Sequence, residues 1–408
     1  MPGTTMDRLP LKHNSTGQGL LLATLALLAL GVVMVHSAVA SVANPGFAWY
    51  NRTDIRHTIF AAFAAMLLLV FWVFDYRWLS RAKWRLPILP TVLLVLAVAS
   101  ALLLLIPFTA RMFGYSVGGK FRWIRLGPAQ YSIGFQPSEV IKLALVIFLA
   151  AWLTHPKTNV RSFLRTFLPA MLVIGLCVGV VVKNDLGAAA IIGLCALATL
   201  LLAGVPWYYL ILLAPGVWAG WQRYVVNDPE HWKRIAAMLD PWDLANKSSY
   251  QPRESLLAVL TGGWFGKGPG NGSIKLGHLP ESSTDFIFAV YCEEWGFVGA
   301  ALLIGLLGLW IWLARKSAVR SADAFGRTLA GSLGFLIAVQ AILHIAVVLV
   351  TAPPTGITLP FISAGGTALV LMAWAAALMV SVTSRRSRDG GLAPSRSGAR
   401  APLPSPAG

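Results

Sequence analysis

The chain has 408 residues, of which 57% are hydrophobic and only 12% charged, with a mean hydropathy of +0.68. That balance excludes an ordinary soluble domain and points to a polytopic membrane protein. A formal net charge of +17 would suit nucleic-acid binding, but its placement along the chain argues for topology, so no nucleic-acid partner is expected.

Apolar runs long enough to span a bilayer fall near residues 18–42, 57–75, 87–107, 138–154, 166–182, 186–203, 206–221, 286–314, 328–351 and 362–383. They predict an all-α polytopic integral membrane protein with about ten transmembrane helices. Basic residues gather in alternate connections: Arg8 and Lys12; Arg77, Arg81, Lys83 and Arg85; Lys157, Arg161 and Arg165; Arg315, Lys316, Arg320 and Arg327; Arg385, Arg386 and Arg388. The positive-inside rule makes those loops and both termini cytoplasmic. Extracytoplasmic loops then cover about 108–137, 222–285 and 352–361, the large one lying between helices 7 and 8. The domain reading is a cytoplasmic tail at 1–17, a ten-helix membrane domain at 18–383, and a disordered basic tail at 384–408, rich in Ser, Pro, Gly and Arg.

Arg8 and Lys12 followed by an apolar run and Ala38-Val39-Ala40 have the outline of a signal peptide. The run exceeds the usual apolar core of about 7–15 residues, so an uncleaved first helix is expected. Cys177, Cys195 and Cys292 lie in predicted spans at no metal or redox spacing and read as small buried hydrophobes.

The first extracytoplasmic loop carries Lys120, Arg122 and Arg125 around Trp123. Three cations on that side run against the positive-inside bias, and a phosphate-bearing ligand would account for them. Gln136-Pro137-Ser138-Glu139 then reads as a helix start, with Glu139 and Lys142 one turn apart on the same face. The plain alternative for that pair is a surface ion pair worth about 0–1 kcal/mol. Asp185, in Lys183-Asn184-Asp185-Leu186-Gly187, reads first as a helix N-cap that can also face a shared cavity.

The large loop contains Tyr250-Gln251, glycines 262, 263, 266, 268, 270 and 272, Lys275, Leu279-Pro280-Glu281 and Thr284-Asp285. Such glycine density permits tight turns and backbone N–H groups that bind anions, although its spacing matches no nucleotide loop. Asp285 opens a nearly uncharged segment, and an acid at membrane depth marks function unless it only caps the helix at the water boundary. Glu293 and Glu294 follow about two helical turns later, so at most one can share the Asp285 face. The stretch Pro353 to Gly366, which includes Ser363, breaks the helix at a membrane boundary, as a loop lining a polar site would.

Together these segments resemble the SEDS family (shape, elongation, division and sporulation), whose members include FtsW, RodA and SpoVE. The carrying motifs are Arg122-Trp123-Ile124 through Gln136-Pro137-Ser138-Glu139 and Lys142; Asp185-Leu186-Gly187; Tyr250-Gln251 with the glycine loop; Leu279-Pro280-Glu281 with Thr284-Asp285-Phe286-Ile287-Phe288-Ala289; and Gly356-Ile357 with Leu359-Pro360-Phe361-Ile362-Ser363 and Gly365-Gly366. The resemblance implies a ten-helix glycosyltransferase of the cell inner (plasma) membrane that polymerises lipid II into peptidoglycan strands. It also implies a class B penicillin-binding protein as partner, and it places Asp285 on the catalytic acid. The chain departs from the family where His344 stands for a common Asn, Ala364 for Tyr and Thr367 for Ser.

On this reading Asp285 is a general base, and Lys120, Arg122, Arg125 and Lys275 stabilise the diphosphate, with a divalent cation (Mg or Mn) an open addition. Gln136, Glu139, Lys142, Asp185, Gln251 and Ser363 complete the expected substrate-binding set. A lipid II flippase and a non-catalytic scaffold for a penicillin-binding protein are the alternatives.

Overall fold

The structure, a computed structural model, describes residues 14–39, 52–83, 86–117, 120–126, 133–276 and 279–385. The readings placed on Arg8, Lys12, Ala40, Arg85 and the tail from Arg386 lie outside the described residues.

Thirteen α-helices occur among the described residues: α1 (Ser15–Val39), α2 (Thr53–Phe71), α3 (Ile88–Leu103), α4 (Pro107–Phe113), α5 (Pro137–Leu153), α6 (Leu168–Val182), α7 (Leu186–Leu202), α8 (Ala214–Trp221), α9 (Pro229–Leu239), α10 (Tyr250–Gly262), α11 (Ile287–Val319), α12 (Ala324–Val348) and α13 (Gly366–Thr383). Six helical stretches are long and apolar enough to cross a membrane: α1, α2, α6 with its leading π turn, α11, α12 and α13. The pair α3 and α4, bent by 99°, makes seven if it counts as one span. The chain is thus a multi-pass, all-α membrane protein.

The expected count of ten rests on shorter pieces. Helices α5 and α7 have 17 residues each, about 25 Å of ideal helix and the short end of what spans. The expected span at 206–221 is divided among a 3₁₀ stretch (Trp207–Leu213), α8 and a π turn (Gln222–Val226). Pro215 at the start of α8 lacks the N–H that one uninterrupted helix would need.

Two apolar cores form. One gathers α1, α2, α11, α12 and α13; the other gathers α3, α5, α6 and α7. Helix α5 joins them, with every residue from Pro137 to Leu153 buried except Val140. Polar contacts supplement the packing, as expected where lipid supplies no hydrophobic drive between helices. Trp310 Nε1 donates to Thr24 Oγ1 at 2.9 Å, and Asn14 Nδ2 donates to Thr383 Oγ1 at 2.8 Å. Helix α1 is therefore built into the bundle.

At one end the basic connections meet. Arg77 Nε lies 3.2 Å from Asp323 Oδ2, which also accepts from the Tyr76 hydroxyl, and Arg385 pairs with Asp75 at 3.4 Å. A two-residue hairpin pairs β1 (Ala82–Lys83) with β2 (Leu86–Pro87), and at the opposite end a three-stranded antiparallel sheet covers the bundle: β3 (Gly114–Val117), β4 (Lys120–Leu126) and β5 (Ile133–Phe135), in the order β3-β4-β5. The sequence reading took this segment as a loop. The large 222–285 segment is not plain loop either: α9 and α10 lie in it, and α10 packs along α11. Helix α11 is kinked at Gly296, whose φ of +63° is open to glycine and costly for other residues.

Candidate functional site

Asp285 does not cap its helix. The cap of α11 is Phe286, without a side-chain hydrogen bond. Asp285 sits in the preceding turn, where the backbone N–H groups of Thr284, Asp285 and Phe286 all reach Glu281 O at 3.1–3.3 Å. The Pro353–Gly366 stretch staples that turn. Ser363 Oγ donates to Thr284 O at 2.8 Å and accepts from Leu359 N at 2.7 Å, while Ala364 N donates to Ser283 O at 3.0 Å. Ser363 thus positions the turn rather than facing the gap.

Gly356 (φ +71°) defines that gap. A methyl group added there would stand 3.4 Å from Asp285 Oδ2 and 3.7 Å from Arg122 Nη1, so both groups approach one point beside the Gly356 backbone. Arg122 comes from β4 and is anchored by Nε donating to Asn184 O at 2.8 Å. Asp185, next in the chain, caps α7 through Ala188 N at 3.0 Å and accepts from Gln136 Nε2 at 3.3 Å. It therefore fills both roles that its sequence position allowed. Arg122, Asp185, His231, Arg234, Pro354 and Thr355 line the adjoining cavity, of about 100 Å³.

Arg234, on α9, was missed by the sequence reading. Its Nη1 donates to Pro354 O at 3.0 Å. The signal was present, because an arginine in the segment expected to be the large extracytoplasmic loop runs against the positive-inside bias just as Arg122 does. Burial lowers the Arg234 pKa, and the neighbouring Arg122 charge adds to that.

The Asp285 carboxyl keeps some contact with solvent, but protein surrounds most of it. Burial pushes its pKa up to about 7, reinforced by Glu281 and Asp185 and opposed by Arg122 and Arg234. A carboxylate tuned near neutrality is what a general base requires.

Other expected site residues lie elsewhere. Lys275, proposed for the diphosphate, is sealed in a buried network: its Nζ contacts Glu294 Oε1 at 2.6 Å, Gly270 O at 2.8 Å and Ser37 Oγ at 2.9 Å. Glu293 accepts from Lys267 Nζ at 2.6 Å and from Ser273 N and Ile274 N. The two glutamates thus hold the glycine loop, and neither faces Asp285. Glu139 and Lys142 form no surface pair; they meet at 2.7 Å inside α5, side chains 8% and 2% exposed. Arg125 lies on the β4 face opposite Arg122, 4.8 Å over the Tyr115 ring. Gln251 is in the first turn of α10, an element packed on α11. Lys120 opens β4, and its side chain lies outside the described residues. Among the described residues no three His, Cys, Asp or Glu side chains cluster to hold a metal ion.

Fold and site together define a multi-pass membrane protein with an acid and two arginines converging at one end of its bundle. The chain belongs to the FtsW/RodA/SpoVE family of cell cycle proteins, which it matches over residues 18–388. It is 34% identical over 380 residues to stage V sporulation protein E of Bacillus subtilis (strain 168), covering 92% of this chain and 99% of that protein. It is 36% identical over 359 residues to a "Probable peptidoglycan glycosyltransferase FtsW" of Coxiella burnetii, covering 86% and 92%. Among solved structures, a chain of a peptidoglycan synthase complex that coordinates polymerization and crosslinking superposes with a TM-score of 0.70 at 24% identity, covering 90% of this chain and 97% of that one. The rod shape determining protein RodA of Thermus thermophilus gives 0.61 at 24%, covering 90% and 95%. These two likenesses establish the fold.

Proposed function

We propose that the chain is a peptidoglycan glycosyltransferase that polymerises lipid II into glycan strands, in cell division or elongation, with a class B penicillin-binding protein as crosslinking partner. Relatives named as peptidoglycan glycosyltransferases support the reaction class, and the synthase complex with the same fold supports the partner. The observation that carries the reading is Asp285 and Arg122 converging beside Gly356, with Arg234 sharing the adjoining cavity with Arg122 and the Asp285 end taken as extracytoplasmic.

The donor is a sugar joined through its anomeric carbon to a polyprenyl diphosphate, and the acceptor is a sugar hydroxyl on a second lipid-linked chain. Asp285 takes the hydroxyl proton as that oxygen bonds to the anomeric carbon. The bond from that carbon to the diphosphate oxygen breaks, and its electron pair leaves with the diphosphate. Arg122 and Arg234, each anchored on a backbone carbonyl, stabilise the charge that develops. A single displacement inverts the anomeric centre.

The test is lipid II polymerisation by the purified chain and by Asp285→Asn, each with and without a candidate transpeptidase. Loss of a general base predicts a rate lower by about 10²- to 10⁴-fold. Strand synthesis at the wild-type rate by Asp285→Asn would remove the base from the mechanism. Movement of lipid II between leaflets with no strands from the wild type would favour a transporter.

A further inference from the structure

A second polar pocket lies across β4 from the Asp285 gap. It has a volume of about 180 Å³ and is lined, among the described residues, by Thr53, Arg56, His57 and Phe60 of α2, Trp123 and Gly134 of the sheet, and Ala364 and Gly366. The register of β4 against β3 shifts at Arg122, and Arg122 lines the first site while Trp123 walls the second. The ring of Trp123 lies over Gly134, where an added methyl group would stand 3.1 Å from Cε3. Thr367 Oγ1 donates to Gly134 O at 2.9 Å and fixes the sheet to the start of α13.

His57 is the informative residue. Its side chain is buried, the residue being 3% exposed, yet among the described residues neither ring nitrogen has a hydrogen-bond partner. A buried polar ring without partners is unfavourable unless something else supplies them. The neighbouring acid is not that partner, since Asp54 is held by Arg52 at 2.7 Å and lies 3.8 Å from His36.

Resting on the polymerase reading, we propose that this pocket binds the diphosphate of the second lipid-linked substrate. The reaction needs two such substrates, and the proposed mechanism assigns the Arg122–Arg234 opening to one diphosphate. The His57 ring and the Arg56 guanidinium would donate to the phosphate oxygens of the other. Below the pocket α2 presents Ile59, Phe63, Met66 and Val70, each more than two-fifths exposed and spaced along one helical face. That stripe gives a polyprenyl chain a path in the bilayer and favours a lipid-linked anion over a soluble one.

The test is binding of inorganic pyrophosphate to the full-length chain in detergent, which needs no turnover. Two classes of site are expected in the wild type. Arg122→Gln should weaken one class only, and His57→Leu the other, by about tenfold to a hundredfold. Ala364→Phe, which narrows the second pocket while leaving the His57 residue in place, should weaken the same class as His57→Leu. In nanodiscs, polyprenyl diphosphate should displace pyrophosphate from that class, and phosphatidylglycerol should not. A single class removed by Arg122→Gln, a class indifferent to both second-pocket variants, or equal displacement by phosphatidylglycerol overturns the proposal. If both classes bind as expected while lipid II yields no strands, the polymerase reading fails and the anion pocket stands.

Discussion

Replacing Lys275 with methionine separates a structural lysine from one that touches substrate. Its side chain is 2% exposed, and that of its partner Glu294 is 1% exposed. Removing Lys275 leaves a buried carboxylate with only Ser37 Oγ and Gly270 N as donors. Breaking such a pair costs about 3–5 kcal/mol. Because the pair ties the glycine loop to α1 and α11, the cost falls on local opening of that loop, on the order of a hundred- to several-thousand-fold in its equilibrium. Amide hydrogen exchange of the 266–275 backbone reads this directly, with polymerisation measured on the same preparations. The decisive variant is the double change Lys275→Met with Glu294→Gln, which removes both charges. It should recover most of the loop protection and, with it, most of the strand synthesis. A double variant with a protected loop that is as inactive as Lys275→Met alone would place Lys275 on the diphosphate and refute the structural assignment.

Two further outcomes follow from the Asp285 gap. Only a deprotonated base accepts a proton, so kcat/KM should rise as pH passes through about 7 and fall about tenfold per unit well below it. Glu281→Gln removes a charge that raises the Asp285 pKa and should move that midpoint to lower pH; an unmoved midpoint would detach the profile from Asp285. Arg234→Gln should lower kcat by about 10²-fold with the melting temperature unchanged, and an unaltered kcat would exclude Arg234 from charge stabilisation.

The apolar runs located the bundle because membrane spans are written in consecutive residues. Asp285 was legible for the same reason, as an acid at the start of a run that carries almost no charge. What the sequence hid is long-range. Glu294 meets Ser37 and Lys275, so whether the acid pair faces a cavity or anchors a loop depends on contacts that no local pattern encodes. Both glutamates sit just before the break at Gly296 that divides α11 into two helical segments. The sheet was obscured because Lys120, Arg122 and Arg125 read as a charge cluster, whereas strand alternation sends Arg122 and Arg125 to opposite faces. Glu139 and Lys142 show the limit of spacing arguments. One turn apart fits a surface pair and a buried one equally, and only the packing of α5 between two cores decides.

The acids of this end of the molecule divide by how their charge is met. Glu293 and Glu294 have lysines at 2.6 Å and several backbone or hydroxyl donors, a pattern that fixes a loop in place. Asp285 has no ion pair within 4.0 Å among the described residues, although two arginines stand close enough to act on its pKa. Both arginines are turned onto backbone carbonyls, Arg122 onto Asn184 O and Arg234 onto Pro354 O. Had either closed a bidentate pair on Asp285, the carboxylate would be a weaker base and that cation less available to a departing diphosphate. Holding the arginines at one remove keeps the acid near neutrality and leaves positive charge directed at the gap. The backbone anchors are therefore as much part of the proposed chemistry as the carboxylate.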